Sequence, residues 1–124
     1  MTVQTFQSHI EQLLLRNQIT VTWSGSGSRA WRKTQRVRLS PVKLEITYAV
    51  ALHEIGHILG DQPKTRIDRE VAAWQWARAY AIEWTPVMQA AAVKRLNNYI
   101  AWSRRHQTMK APGLEHPIFK WVAQ

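Results

Sequence analysis

The chain has 124 residues, of which 45% are hydrophobic and 20% charged, a balance that excludes disorder throughout its length. It contains no cysteine, which excludes disulfides, thiolate metal sites and cysteine nucleophiles. Seventeen Lys and Arg residues against eight Asp and Glu residues give a formal net charge of +9, which favours an anionic partner or anionic surroundings. We expect one domain over residues 1–124, with a core of residues 5–84 and a C-terminal helix and tail of residues 85–124.

The N-terminal half predicts one helix and a small sheet. Apolar residues at helical spacing predict a helix over residues 4–16. Alternating β-branched residues predict a strand over 19–23, and alternating basic and apolar residues predict another over 36–39. The Ser/Gly segment 24–28 is interpreted as a hairpin loop rather than a phosphate-binding loop, because no helix start with a Walker lysine follows it. The sheet is therefore expected to be antiparallel.

The C-terminal half predicts helices. An apolar helical pattern spans residues 45–59 and ends before a glycine, and a threonine-aspartate pair starts a second helix over about 65–83. A Thr-Pro pair starts a third helix over 85–105, followed by a Pro/Gly-containing loop over 107–117 and a short apolar tail over 118–122. The predicted fold class is α+β, with an N-terminal helix, a small antiparallel sheet and then a helical bundle.

The first of these three helices carries the motif His53-Glu54-Ile55-Gly56-His57. Residues at i and i+4 lie on one face of a helix, so both imidazoles can reach a single metal ion. Glu54 points about 100° away around the helix, where it can act on water rather than bind the metal. The flanking residues are apolar, and a buried helix rarely carries such side chains without a use. The motif predicts a hydrolytic zinc site.

Such a site needs a third protein ligand. The third histidine of the metzincin pattern would fall at Pro63, which cannot bind a metal, so that arrangement is excluded. Two carboxylates remain as candidates, Asp68 and Glu70. Asp68 already has a capping role at a helix start. Glu70 lies about one turn into that helix, on a face that continues through apolar residues. We favour Glu70 as the ligand, with Asp68 as the alternative.

At these residues the sequence resembles a family. The segment 48–60 is similar to the active-site helix of small gluzincin-type zinc metallopeptidases, which include ImmA/IrrE-like proteins and related compact zincins of phages and mobile elements. The segment 70–77 is similar to their second helix, in which a glutamate precedes an alanine-aromatic-alanine run, and the overall similarity covers about residues 5–84.

The resemblance implies that His53, His57 and Glu70 bind Zn²⁺ and that Glu54 is the general base and acid of peptide hydrolysis. One position departs from the thermolysin-like pattern: Trp74 stands where an acidic residue would brace a histidine, four positions after the glutamate. A hydrolytic site also needs a donor for the oxyanion. The candidates are Tyr80, Tyr99, His106 and His116, among which the sequence does not choose.

Basic residues suggest a second kind of partner. Trp31 is interleaved with a basic run consisting of Arg29, Arg32, Lys33, Arg36, Arg38 and Lys43. This run has the composition of a nucleic-acid-binding surface, although cations also protect a solvated sheet edge. More positive charge lies towards the other end of the chain, at Lys94, Arg95, Arg104, Arg105 and Lys110. Four tryptophans at helical spacing, Trp74, Trp76, Trp84 and Trp102, are interpreted as core residues.

The sequence thus favours a zinc metallopeptidase that cleaves a protein substrate, such as a DNA-associated or regulatory protein. The alternatives are a basic protein on a zincin fold, without peptidase activity, that binds nucleic acid or a host factor. Without a basic leader before an apolar segment, or an apolar run long enough to cross a bilayer, a cytoplasmic protein with no membrane partner is expected.

Overall fold

The computed structural model describes residues 3–105 and 115–122. Helices and strands follow one another in the order α1 (Val3–Arg16), β1 (Thr20–Trp23), β2 (Arg29–Trp31), β3 (Arg36–Leu39), α2 (Glu45–Leu59), α3 (Arg66–Tyr80), α4 (Pro86–Arg105) and α5 (Ile118–Val122). This order confirms the predicted α+β class, with a leading helix, a small sheet and then helices. Helix α3 ends three residues earlier than expected, and the apolar tail forms a short helix.

Local hydrogen bonds explain where the helices begin. The hydroxyl oxygen of Thr65 accepts a hydrogen bond from the backbone N–H of Asp68 at 3.2 Å, which caps the start of α3. The hydroxyl of Thr85 accepts from the backbone N–H of Met88 at 3.3 Å and does the same for α4. These caps are the threonines that the sequence pattern singled out.

The sheet differs from the expectation in one pairing. Its strand order is β1-β3-β2, with β2 antiparallel to β3 and β1 parallel to β3. The prediction of a wholly antiparallel sheet was therefore wrong for β1, because the chain crosses to the far edge as β2 before it returns through the centre as β3. The hairpin joins β2 to β3, so the Ser/Gly segment 24–28 is a connection between strands that do not pair.

The HExxH helix, α2, forms the centre of the core. Ten of its residues are buried, and it packs against α1, α3, α4 and the sheet. Tyr48, which is fully buried, stacks on Phe6 of α1 with ring centroids 4.3 Å apart. Its hydroxyl also bonds to Nδ1 of His9 at 2.7 Å and accepts from the backbone N–H of Ile82 at 3.0 Å. One side chain thus ties α2 to α1 and to the connection between α3 and α4.

The C-terminal region packs onto the same core. Ile118 and Trp121 of α5 are buried, and α5 lies against α4. Most of the loop predicted over residues 107–117 lies outside the described residues. In the described part of the chain, no helix combines the length and the apolar character that crossing a bilayer would need.

Candidate metal centre

The contact between α2 and α3 brings the candidate ligands together. Gly56 lies within the HExxH motif and faces the backbone of Ala73 on α3. A Cβ placed on Gly56 would lie 2.6 Å from the carbonyl oxygen of Ala73, closer than such atoms can approach. Only glycine therefore allows the two helix backbones this separation, and the separation places Glu70 opposite the two histidines.

Three side chains converge from these helices. Nε2 of His53 and Nε2 of His57 lie 3.1 Å apart. The two carboxylate oxygens of Glu70 lie 2.7 Å from Nε2 of His57 and 3.3 Å from Nε2 of His53. Each residue offers one ligand atom, and these three atoms all lie within 4.8 Å of one another, so the group could hold a metal ion.

The spacing of the nitrogens fits a small divalent ion. Two nitrogens bound to one tetrahedral zinc at about 2.0–2.1 Å are about 3.3 Å apart, close to the separation of Nε2 of His53 from Nε2 of His57. Two neutral imidazoles and a carboxylate are also the donor set of catalytic zinc sites. The side chains of His57 and Glu70 remain 20% and 24% exposed, so the site is open to solvent on one side.

Trp74 stands where the thermolysin-like pattern has an acidic residue, and it packs on one of the candidate ligands. Its indole ring is fully buried and stacks on the His53 imidazole, with centroids 4.2 Å apart and planes inclined by 15°. The ring of His53 is therefore held by stacking where the pattern uses an acidic residue. Sequence reasoning placed Trp74 in the core but missed this contact; its position one turn after Glu70 was the available signal.

Burial and neighbouring charges change the pKa of His53 in opposite directions. Burial lowers the pKa of this imidazole, but its contacts with the carboxylates of Glu54 and Glu70 outweigh that effect and raise the pKa above the usual value. Burial alone would raise the pKa of Glu70, whereas its contacts with His53 and His57 bring that pKa well below its ordinary value. These contacts therefore keep Glu70 as a negative carboxylate that faces positive charge. A metal cation would provide the same environment.

Glu54 lies beside the three converging residues. Its side chain is 9% exposed and lines the same cleft as His53, His57 and Glu70. One carboxylate oxygen is 3.2 Å from Nδ1 of His53, the ring nitrogen that does not face Glu70. This approach falls outside hydrogen-bond geometry, so Nδ1 has no hydrogen-bond partner among the described residues.

Asp68, the alternative third ligand, has other partners. Its carboxylate accepts a hydrogen bond of 2.6 Å from the Thr65 hydroxyl and another from Nε2 of His116. Both contacts lower the pKa of Asp68, and the hydrogen bond from Thr65 has the larger effect. The structure therefore places Asp68 at the start of α3 and brings Glu70 to the histidines.

One of the four candidate oxyanion donors lies near the centre. Tyr99 of α4 lines a small cavity of about 280 Å³ together with His53 and Glu70, and its buried hydroxyl has no hydrogen-bond partner among the described residues. Tyr80 is 57% exposed and stacks on Trp76, and His116 is engaged by Asp68. His106 lies outside the described residues.

The basic run of the sequence extends over two surfaces that share Arg29. Arg29, Arg32 and Lys33 line the cleft of the candidate metal centre. Arg36 and Arg38 lie on the outer face of the sheet, with guanidinium carbons 4.3 and 5.9 Å from the centre of the Trp31 ring. Lys43 follows β3, is exposed and does not line the cleft.

Arg29 belongs to both surfaces, because its guanidinium carbon also lies 5.1 Å from the centre of the Trp31 ring. The cleft gains three other cations from helices, Arg66 and Arg69 of α3 and Arg95 of α4. Arg66 and Arg69 were not singled out from the sequence, where their only signal is their closeness to Glu70. Arg95 comes from a different helix. Comparisons of the chain with family models, with curated proteins and with solved structures return no match.

Proposed function

We propose that this protein is a zinc-dependent metallopeptidase that hydrolyses peptide bonds in a protein substrate, as its resemblance to small gluzincin-type peptidases implies. One observation carries the proposal: the donor atoms of His53, His57 and Glu70 converge within 4.8 Å at the base of an open cleft. Two imidazoles from one helix turn and a carboxylate from a neighbouring helix are the ligand set that hydrolytic zinc sites use.

His53 and His57 would bind the ion through Nε2, and Glu70 through its carboxylate. A bound zinc ion supplies Lewis-acid chemistry, which activates water and polarises the carbonyl of the bond to be cleaved. The stacking of Trp74 on His53 fixes one ligand ring, and the Gly56–Ala73 contact fixes the distance between the ligand helices. The chain therefore orients its three ligands by packing.

Glu54 would move the proton. A purely structural metal site has no need of a nearly buried carboxylate next to its ligands, whereas hydrolysis needs a base at that place. Glu54 accepts a proton from the water molecule while the oxygen of that water attacks the peptide carbonyl. It then delivers this proton to the nitrogen of the departing amine as the C–N bond breaks, leaving a carboxylic acid and an amine. Transfer of the second water proton from the acid to the amine gives a carboxylate and an ammonium group as the final products.

Tyr99 would stabilise the charge that develops on the carbonyl oxygen. Its hydroxyl is buried, lacks a partner in the described part of the chain and lines a cavity shared with two of the ligands. Of the three candidates among the described residues, Tyr99 is the one that shares a cavity with two metal ligands, and this cavity adjoins the ligands rather than the larger cleft itself.

The test is cleavage of a mixed peptide library by zinc-loaded protein, with new termini identified by mass spectrometry. We expect new termini with the wild type and none with Glu54→Gln, although Glu54→Gln still binds zinc. Glu45→Gln is the matched control, because Glu45 lies in the first turn of the same helix and does not line the cleft. A wild type that produces no new termini, or a Glu54→Gln variant as active as Glu45→Gln, would overturn the proposal.

A further inference from the structure

The cleft around the candidate metal centre is lined on two sides by cations. It encloses about 610 Å³, within the range of pockets that hold small ligands or a few residues of a peptide. Strand β2 and the turn after it supply one group, and helices α3 and α4 supply the other. These cations are Arg29, Arg32, Lys33, Arg66, Arg69 and Arg95.

Among the described residues, no carboxylate lies within 4.0 Å of any of these six cations. In the described ranges 3–105 and 115–122, every ion pair within 4.0 Å has a histidine as its cationic member. Arg69 is held by backbone carbonyls, at 2.8 Å from the oxygen of Lys64, and so keeps its full charge. The two carboxylates that line the cleft, Glu54 and Glu70, both belong to the candidate metal centre.

This arrangement concentrates positive potential where a substrate would lie. A cleft lined by one sign of charge focuses the field and raises the local concentration of ligands of the opposite sign. Holding unpaired cations close together also costs free energy through their mutual repulsion, and an anionic ligand relieves that cost.

We propose that the cleft binds peptide segments rich in Asp and Glu, with acidic side chains on both sides of the bond to be cleaved. This inference rests on the proposed peptidase activity and names its substrate class. Side-chain carboxylates reaching to either wall would meet guanidinium groups, which bind carboxylates through paired hydrogen bonds.

The aromatic side chains favour a peptide over a nucleic acid. Single-stranded nucleic acids bind where bases stack on free aromatic faces along a positive track. Here the Trp31 ring has the guanidinium groups of Arg29, Arg36 and Arg38 over it, at 4.3–5.9 Å from its centre. The Trp102 ring, beside the metal centre, has Arg66 over it at 4.9 Å. In the described part of the chain, both of these rings therefore already have guanidinium groups over them, which leaves less aromatic surface on which bases could stack.

The test measures binding apart from cleavage. Zinc-loaded Glu54→Gln protein is titrated against a fluorescein-labelled peptide of alternating Asp, Glu and Ala, and against the same peptide with Asn and Gln as isosteric replacements. We expect the acidic peptide to bind at least about 10-fold more tightly at low ionic strength, with the advantage decreasing as salt screens the charges. A single-stranded oligodeoxynucleotide of equal charge serves as competitor.

Charge-matched variants separate the cleft from the net charge of the protein. The triple change Arg32→Gln, Lys33→Gln and Arg95→Gln removes exposed cations of both walls. The control triple change Arg16→Gln, Arg104→Gln and Arg105→Gln lowers the net charge equally at exposed positions that do not line the cleft. We expect the cleft triple to lose about 10-fold in affinity for the acidic peptide, and the control triple to lose about 2-fold or less.

The inference is overturned if the acidic and amide peptides bind equally, if the two triple variants lose affinity equally, or if the oligonucleotide binds more tightly than the acidic peptide. Cleavage of both peptides by the wild type at equal rates would support the peptidase and contradict the acidic preference. Selective binding of the acidic peptide without cleavage by the wild type would contradict the peptidase while supporting recognition of acidic segments.

Discussion

Replacing Gly56 by alanine tests how the two ligand helices are positioned. The added methyl group would lie 2.6 Å from the carbonyl oxygen of Ala73 and 3.3 Å from its carbonyl carbon. An ordinary contact between a methyl carbon and a carbonyl oxygen is about 3.3 Å or more, so α3 must move away by roughly 0.7 Å at Ala73. Glu70 lies one turn before Ala73 on the same helix and would move with it.

Two opposing effects set the change in stability. Overpacking of this kind costs about 1–3 kcal/mol, whereas alanine in a helix interior is favoured over glycine by about 1 kcal/mol. We therefore expect Gly56→Ala to lower the free energy of unfolding by about 0–2 kcal/mol. Zinc affinity should be more sensitive to this displacement than the free energy of unfolding, because metal–ligand distances tolerate changes of only about 0.2 Å. We expect zinc affinity to fall by about 10- to 100-fold.

Zinc affinity is measured by competition with a chromophoric chelator, and stability by urea unfolding of the metal-free protein. Gly25→Ala is the control, because a Cβ at Gly25 would have no atom within 4 Å. The reasoning is refuted if Gly56→Ala binds zinc as tightly as the wild type and gains the stability of about 1 kcal/mol that helix propensity alone predicts.

Three further experiments test the packing of Trp74, the protonation of His53 and the role of Tyr99. Trp74→Ala should lower the free energy of unfolding by about 3–5 kcal/mol, measured by urea unfolding, and Trp74→Phe, which keeps a ring to stack on His53, should cost less than half as much. Because the pKa of His53 is raised, protons compete with the metal for its ring, so zinc affinity should decrease as the pH is lowered, beginning above the ordinary histidine value of 6.5. Chelator competition at stepped pH checks this, and an affinity that is constant down to pH 6.5 would contradict it. Tyr99→Phe should lower kcat/KM about 100-fold in the cleavage assay without changing zinc content, whereas Tyr80→Phe should leave both unchanged.

The sequence predicted the helices well and the sheet less well, because the two depend on different information. The starts of α3 and α4 are set by the capping threonines Thr65 and Thr85, which are local signals. Strand β2 has only three residues, Arg29–Trp31, none of them β-branched, and was not predicted. The parallel pairing of β1 with β3 joins segments separated by β2, so no local pattern indicates it.

The candidate metal centre was likewise predicted only in part, because some of its features depend on local spacing and others on helix packing. His53 and His57 share one helix face by spacing, and the apolar face of α3 pointed to Glu70 rather than Asp68. The stacking of Trp74 on His53 and the position of Tyr99 depend on how separate helices pack, which spacing along the chain does not specify. The two-sided group of cations in the cleft likewise assembles from the sheet and two helices.

We propose that His53, His57 and Glu70 bind one Zn²⁺ ion and leave one position open for water. The most direct test is elemental mass spectrometry on protein purified without a histidine tag, comparing the wild type with Glu70→Ala, Asp68→Ala and Glu54→Gln. We expect one zinc per chain in the wild type, Asp68→Ala and Glu54→Gln, and its loss in Glu70→Ala. A wild type without zinc, or zinc kept in Glu70→Ala and lost in Asp68→Ala, would contradict it.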